Sequence, residues 1–221
     1  MGLYRKFILP RLIDVAMRRK EVAARRAELI PKACGAVLEI GIGSGLNLCF
    51  YPGTITRLAG VDPSAELLGM ARRKLGGLPF PVELFCRSAE DLPFDDRSFD
   101  TGVMTWTLCS IPNPMRALAE VKRVLRPDGQ LLFVEHGLSP DPKVQAWQQR
   151  LTPICKRVGG GCHPNRKIDD LVRPAGFDIK DYLTIGSVVN TIYALFGVPK
   201  EHYRVLRREL PTAPVLNGLL V

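Results

Sequence analysis

Val37-Leu38-Glu39-Ile40-Gly41-Ile42-Gly43-Ser44-Gly45 decides the fold. An apolar run of strand length enters a turn with three glycines. Those glycines let the backbone bend sharply and approach a ligand closely, and a helix start after them offers free N–H groups. Asp62 closes the next apolar strand, where its carboxylate can accept hydrogen bonds from both ribose hydroxyls of a nucleoside cofactor. A dinucleotide fingerprint would need its third glycine at position 46, which is Leu46; the third glycine is Gly45. Glu39, two positions before Gly41, is unfavourable beside a pyrophosphate and suits a cationic ligand. The spacing favours a sulfonium nucleoside over NAD.

Working outward, β-rich runs alternate with helical ones. Strands are expected at 36–40, 58–61, 82–86, 99–104 and 130–135, with helices beginning at 45–50 and covering 64–75 and 114–125. Asn113 can cap the last of these, Pro114 suits its first turn, and Met115, Leu118, Val121 and Leu125 share a face. The alternation predicts an α/β fold: a doubly wound, mostly parallel sheet with helices on both faces. Helices follow near 142–158 and 167–175, and the apolar stretch 177–196 fits strand or helix equally. The chain divides into an N-terminal segment 1–32, a domain over 33–196 with a helical insertion near 138–176, and a tail of unassigned role over 197–221.

The 221 residues are 46% hydrophobic and 24% charged, which excludes disordered, collagenous and coiled-coil classes. Net charge is +9. Nine basic and three acidic side chains fall within residues 1–32, which therefore hold +6 of it. Residues 4–30 read as a basic amphipathic helix, kinked or interrupted at Pro10, with Ile8, Leu12, Val15, Ala16, Ala23, Ala27 and Ile30 at helical spacing. It could be a solvated packing helix, a cap over the cofactor or a membrane-surface contact; the cap is favoured because the segment immediately precedes the first strand. Six cysteines without a C-x-x-C pair, no signal-peptide pattern, and polar interruptions in Tyr182–Pro199 point to a reducing, cytoplasmic setting without a spanning helix.

These residues resemble class I methyltransferases that use S-adenosylmethionine. The resemblance implies that Glu39-x-Gly41-x-Gly43-x-Gly45 lies under the amino-acid end of the cofactor and that Asp62 binds the ribose. It also implies that Ser88-Ala89-Glu90-Asp91-Leu92-Pro93-Phe94 closes on the adenine through Ser88. The implied cofactor set is Glu39, Gly41, Ile42, Gly43, Gly45, Asp62, Pro63, Ser88, Ala89, Glu90 and Thr105. Ser98-Phe99-Asp100 and Leu125-Arg126-Pro127-Asp128-Gly129 complete the pattern. Phe50-Tyr51-Pro52, Thr107-Leu108-Cys109-Ser110, Glu135-His136, Trp147-Gln148-Gln149 and Gly161-Cys162 further resemble the alkyl thiol S-methyltransferases of animals and their bacterial relatives. The terminal β-hairpin of that pattern is not visible in residues 197–221. Bacterial phospholipid N-methyltransferases share much of the cofactor half and also begin with basic amphipathic residues, which keeps peripheral membrane contact in play.

The segment after the fourth strand reads Thr105-Trp106-Thr107-Leu108 rather than a D/N-P-P-Y/F turn. Cys109 lacks a preceding Pro or Thr, and 102–114 holds no acidic metal ligand. The expected acceptor is thus a small, largely apolar molecule, most readily a thiol, with no nucleic acid and no metal. A quinone or phospholipid acceptor and a silent cofactor-binding scaffold are the alternatives. Methyl transfer from a sulfonium needs alignment and water exclusion, and a thiol must also lose its proton. His136, at the carboxyl edge of the fifth strand, either lines the pocket as the base or is a surface-turn histidine. Cys162-His163, in a glycine-rich loop, is read as a lid over the acceptor in preference to a plain turn. Cys155, Cys162 and His163 lack regular ligand spacing for zinc, and Cys109 reads as a core residue.

Overall fold

The computed structural model describes residues 2–183 and 215–220. Its strands are β1 (Ala36–Ile40), β2 (Arg57–Val61), β3 (Val82–Phe85), β4 (Phe99–Thr105), β5 (Leu125–His136), β6 (Ile179–Leu183) and β7 (Val215–Leu220). They form one sheet in the order β3-β2-β1-β4-β5-β7-β6. The first five pair in parallel, and β7 runs antiparallel to both β5 and β6. Successive strands step outward from β1 to β3, and the chain then returns to place β4 on the other side of β1. That reversal leaves a crevice at the carboxyl ends of β1 and β4, where doubly wound sheets hold their ligands.

The helices are α1 (Leu9–Met17), α2 (Lys20–Leu29), α3 (Ala65–Arg72), α4 (Pro114–Val124), α5 (Pro142–Val158) and α6 (Asp169–Val172). The caps follow the local chemistry. Ser64 Oγ accepts from Leu67 N at 3.2 Å, and Asn113 Oδ1 accepts from Arg116 N at 3.1 Å. On one face of the sheet, Leu38, Ile40, Met104 and Phe133 pack with Leu118 and Val121 of α4. On the other, Val37, Leu58, Val103 and Leu132 pack with Val22 and Leu29 of α2 and with Ile30.

Four expectations are corrected. The terminal antiparallel pair absent from the sequence reading is present: β7, inside the supposed tail, lies between β5 and β6. Its Asn217-Gly218 interrupts the apolar alternation by which a strand would be recognised. The other residues of 184–214, including most of the unassigned apolar stretch and of Tyr182–Pro199, lie outside the described residues. The helix expected at 45–50 is a single 3-10 turn, Leu48–Phe50, and that at 167–175 shortens to α6. β5 begins at Leu125, and the expected turn 126–129 is a bulge between the Phe99↔Leu125 and Thr101↔Gln130 pairs.

The N-terminal segment departs most. Its break falls at Arg18-Arg19, while at Pro10 the chain stays helical and only changes winding, from the π-helical turn Tyr4–Ile8 to α1. Of the expected stripe only Ile30 is buried; Ile8, Leu12 and Val15 are 51%, 54% and 68% exposed. The face that docks instead carries Leu9, Asp14, Val22, Arg26 and Leu29. Two charged side chains anchor it, which an apolar-periodicity rule cannot see.

Candidate functional site

The loop after β1 is built for close approach. Gly41, Gly43 and Gly45 all have positive φ, at 68°, 56° and 72°. A Cβ on Gly41 would collide with Thr107 after β4, so the missing side chain lets the β1 and β4 loops meet. A Cβ on Gly43 would meet only Gly41 O, at 3.9 Å, so the backbone there forms an open cradle. Asp62 holds the loop from β2: its Oδ2 accepts from Gly43 N at 3.0 Å and its Oδ1 from Ser64 N at 2.8 Å. Burial pushes its pKa up against those two bonds. Each carboxylate oxygen keeps a further lone pair for a ligand hydroxyl.

Glu39 is fully enclosed. Its Oε1 accepts from Asn47 Nδ2 at 2.8 Å and its Oε2 from Tyr51 Oη at 2.7 Å. Burial raises its pKa to about 7 against these bonds and the nearby Arg26 guanidinium. Glu39 is only 1% exposed. It therefore acts on the loop through Asn47 and Tyr51. Asn47 Nδ2 also donates to Thr105 Oγ1 at 3.0 Å, joining the ends of β1 and β4.

The N-terminal helices enter this network from outside the sheet. Arg26 Nε donates to Asn47 Oδ1 at 2.8 Å, its NH1 donates to Met17 O, and its guanidinium lies 5.0 Å over the Trp106 ring. Desolvation lowers its pKa to about 10, still charged at neutral pH. From α1, Asp14 Oδ1 accepts from Ser44 Oγ at 2.5 Å and its Oδ2 from Arg18 Nε at 2.8 Å. Burial raises the Asp14 pKa, but these partners outweigh it and the net shift is downward. Lys74 Nζ donates to Ser44 O. The glycine loop is thus bracketed by Asp62 from the sheet and Asp14 from the helices.

A second group of residues meets where β4 ends. Trp106 has φ of 51°, a left-handed conformation rare for a bulky residue, and its Nε1 is buried without a hydrogen-bond partner among the described residues. Glu135 Oε1 fixes the next turn by accepting from Thr107 N and Leu108 N, each at 2.5 Å. Burial holds the Glu135 carboxyl well above the usual range. His136 is 6% exposed, with Nε2 3.3 Å from Cys162 Sγ. Hydrogen bonding from Cys162 draws the Cys109 thiol well below its ordinary pKa despite burial, with His136 adding to the effect. His136 is raised in turn by Cys109, against burial.

The glycine-rich loop 159–166 is pinned over this turn. His163 N donates to Cys109 O at 2.9 Å, and Arg166 NH1 reaches the carbonyls of Leu108 and Ile111. His163 Nδ1 stands 3.3 Å from the same Cys109 carbonyl. Beneath the loop, Gln148 bridges Ser139 N, Gly137 O and Pro164 O.

Of the residues anticipated from sequence, Glu39, Gly41, Ile42, Gly43, Gly45, Asp62 and Thr105 converge at the carboxyl ends of β1, β2 and β4. Ile42 turns its side chain into the sheet against Gly60. Pro63 is exposed after β2, and its carbonyl accepts from Cys86 Sγ at 3.6 Å. Ser88, Ala89 and Glu90 follow β3; Ser88 Oγ accepts from Glu90 N, Ala89 is buried, and Glu90 Oε1 accepts from Asn113 N. The sequence reading missed Asp14, Arg26, Ser44, Asn47 and Tyr51. Ser44 and Tyr51 did stand in quoted stretches. The others had no signal beyond closeness to Gly45 or a place on a helix read by its apolar positions.

Residues 38–133 match the family model described as "Methyltransferase domain". The chain is 30% identical over 169 residues to human thiol S-methyltransferase TMT1A, covering 74% of this chain and 69% of that protein. It is 38% identical over 104 residues to phosphatidylethanolamine N-methyltransferase of Cereibacter sphaeroides, covering 46% and 51%. The chain spans about half the length of most curated relatives it matches. Among solved structures, the complex of the Haloferax volcanii Trm112 methyltransferase activator with a methyltransferase superposes with a TM-score of 0.67 at 19% identity, covering 99% of this chain and 96% of that one. The open glycine cradle, the Asp62 carboxylate and the enclosed Glu39 fit the cofactor of such proteins. The chain belongs to the class I S-adenosylmethionine-dependent methyltransferases.

Proposed function

We propose that this protein transfers a methyl group from S-adenosylmethionine to a small lipophilic acceptor, a thiol by preference. The cofactor, when bound, supplies an electrophilic methyl on a sulfonium. In this reading the Gly41–Gly45 backbone carries its amino-acid end and Asp62 accepts from the ribose. Ser88, Ala89 and Glu90 border the adenine, with Pro63 and Thr105 completing the wall. Residues 1–32 cap the domain. The observation that carries the acceptor half is the packing of Cys109, His136 and Cys162 under a pinned loop at the edge toward which ligands of this fold lie. His136 is the base nearest that edge, and His163 shapes the acceptor pocket by fixing the loop to Cys109 O.

A lipid or quinone acceptor is the second reading, and one surface favours it. Leu3, Phe7, Ile8, Leu12 and Val15 are exposed along the first two helical turns and α1, next to exposed Ile154 and Val158 of α5. Tyr4 Oη donates to Val158 O at 2.7 Å, which joins the two helices into one apolar face. Arg5, Lys6 and Arg11 are exposed on the same segment. No helix among the described residues is long and apolar enough to cross a membrane. Such a face instead suits lying on one, with access to acceptors dissolved in it.

The test is mass spectrometry after incubation with methyl-labelled cofactor and a panel of alkyl and aryl thiols, a quinol and phospholipid vesicles. Label on thiols without vesicles supports the first reading. Label only on a lipid or quinol overturns it in favour of the second.

A further inference from the structure

Cys109 lies in the turn after β4, His136 ends β5, and Cys162 sits in the loop after α5. Separated by 27 and 26 residues in sequence, they bring two Sγ atoms and one imidazole nitrogen within 4.8 Å of one another. A zinc-type ion with Zn–S of about 2.3 Å and Zn–N of about 2.0–2.1 Å places tetrahedral sulfurs roughly 3.8 Å apart, and sulfur and nitrogen roughly 3.5 Å apart. The observed Nε2 to Cys162 Sγ distance is 3.3 Å.

The backbone around the trio is already set. Cys109 O is held by His163 N, Cys162 N donates to Gly159 O, and Arg166 reaches the carbonyls on either side of Cys109. Cys109 and His136 are buried and Cys162 is half-buried, so Cys162 is the member of the trio nearest solvent. Glu135 Oε2 is fully buried beside the trio, within electrostatic reach of both thiols, and has no hydrogen-bond partner among the described residues. A cation in the cluster would complement it. All three ligands also fall in the short motifs on which the likeness to alkyl thiol S-methyltransferases rests.

We propose that Cys109 Sγ, His136 Nε2 and Cys162 Sγ bind one soft divalent cation of the zinc type, with its fourth position open on the Cys162 side. Two sulfurs and an imidazole select such an ion over magnesium or calcium. Three protein ligands with one vacant position are the pattern of reactive rather than structural zinc.

The consequence for the reaction rests on the thiol reading above; the metal site does not. An acceptor thiol takes the fourth position and displaces water. Its S–H bond breaks as the metal–sulfur bond forms, and the proton leaves to solvent. A lone pair of the bound sulfur then forms the bond to the methyl carbon while the carbon–sulfonium bond breaks and its electron pair stays on the cofactor sulfur. The neutral thioether leaves, and water returns to the metal. His136, read above as the base, is in this state a ligand through Nε2, and the removal of the thiol proton passes from it to the metal.

The test uses the full chain produced with zinc, dialysed and analysed for metal by mass spectrometry, with cobalt(II) substitution read by its thiolate charge-transfer absorption. Parent protein should hold about one equivalent and show the thiolate bands. Cys162→Ser and His136→Ala should lose most of the metal while still binding S-adenosylmethionine in calorimetry, which shows that they fold. Cys162→His should retain it, and Cys86→Ser, at an exposed distant thiol, should match the parent. A parent that binds only background metal, or variants that keep a full equivalent with unchanged cobalt spectra, would overturn the site. Parent stripped of metal that still methylates thiols overturns the metal-bound step and leaves the proposed function standing. Stoichiometric metal in a protein that transfers no methyl does the reverse.

Discussion

Arg26 of α2 and Asn47 of the β1 loop share a buried hydrogen bond of 2.8 Å, and Asn47 passes the connection to Glu39 and Thr105. A charge on the N-terminal segment is therefore part of the support for the cofactor loop. Hydrogen bonds to charged groups contribute about 1.5–3 kcal/mol each, and leaving one buried partner unpaired costs about as much. Arg26→Met keeps much of the volume over Trp106 but strips the partners from Asn47 Oδ1 and Met17 O. We expect a loss of about 3 kcal/mol in urea unfolding and a weaker hold on S-adenosylmethionine. Asn47→Ala should reproduce the affinity loss. Wild-type affinity in both variants would mean that the helices pack on the loop without supporting it.

Glu39 gives a pH signature. Its folded pKa of about 7 lies above its ordinary 4.5 because burial disfavours the anion. The buried acid prefers its proton, so its contribution to stability is fully present below pH 4.5 and is lost as pH rises through 7. The slope between those limits approaches about 1.4 kcal/mol per pH unit. In Glu39→Gln, the amide can accept from Asn47 and donate to Tyr51, and this component should vanish. Urea midpoints of parent and variant from pH 4.5 to 8 measure it, and parallel curves would refute the assignment.

The exposed face of α1 predicts a surface behaviour separate from the cofactor site. Leu12→Glu with Val15→Glu places acids at two exposed apolar positions of α1. Sedimentation with vesicles rich in anionic lipid should fall at least several-fold. S-adenosylmethionine affinity should not change. Equal sedimentation of parent and variant would remove the membrane reading.

Much of the sheet from β1 to β4, with the glycine turn after β1, was legible because its signals are local. Glycines at alternate positions after an apolar strand, and an acid at the end of the next strand, each state a backbone or ligand requirement within a few residues. What was illegible is long-range and polar. Asp14 and Arg26 dock the N-terminal helices by charge, so a rule that looks for apolar stripes chose Ile8, Leu12 and Val15, the face that points outward. β7 escaped because Asn217 and Gly218 break its alternation, and its partner β6 ends more than thirty residues earlier in the chain. The Cys109, His136 and Cys162 grouping depends on three loops meeting, and its spacing resembles no short ligand motif.

The central claim, that the loop between β1 and β2 holds S-adenosylmethionine with Asp62 as its ribose acceptor, is tested most directly by calorimetric titration of the parent and Asp62→Ala with the cofactor. Asp62 offers each oxygen to one backbone N–H and retains a lone pair on each for a hydroxyl, so its loss removes charge-assisted bonds of about 1.5–3 kcal/mol apiece. The account predicts saturable binding by the parent and a dissociation constant at least about tenfold weaker in a variant that remains folded by circular dichroism. A parent that releases no binding heat, or an Asp62→Ala protein with the parent's dissociation constant, would contradict it.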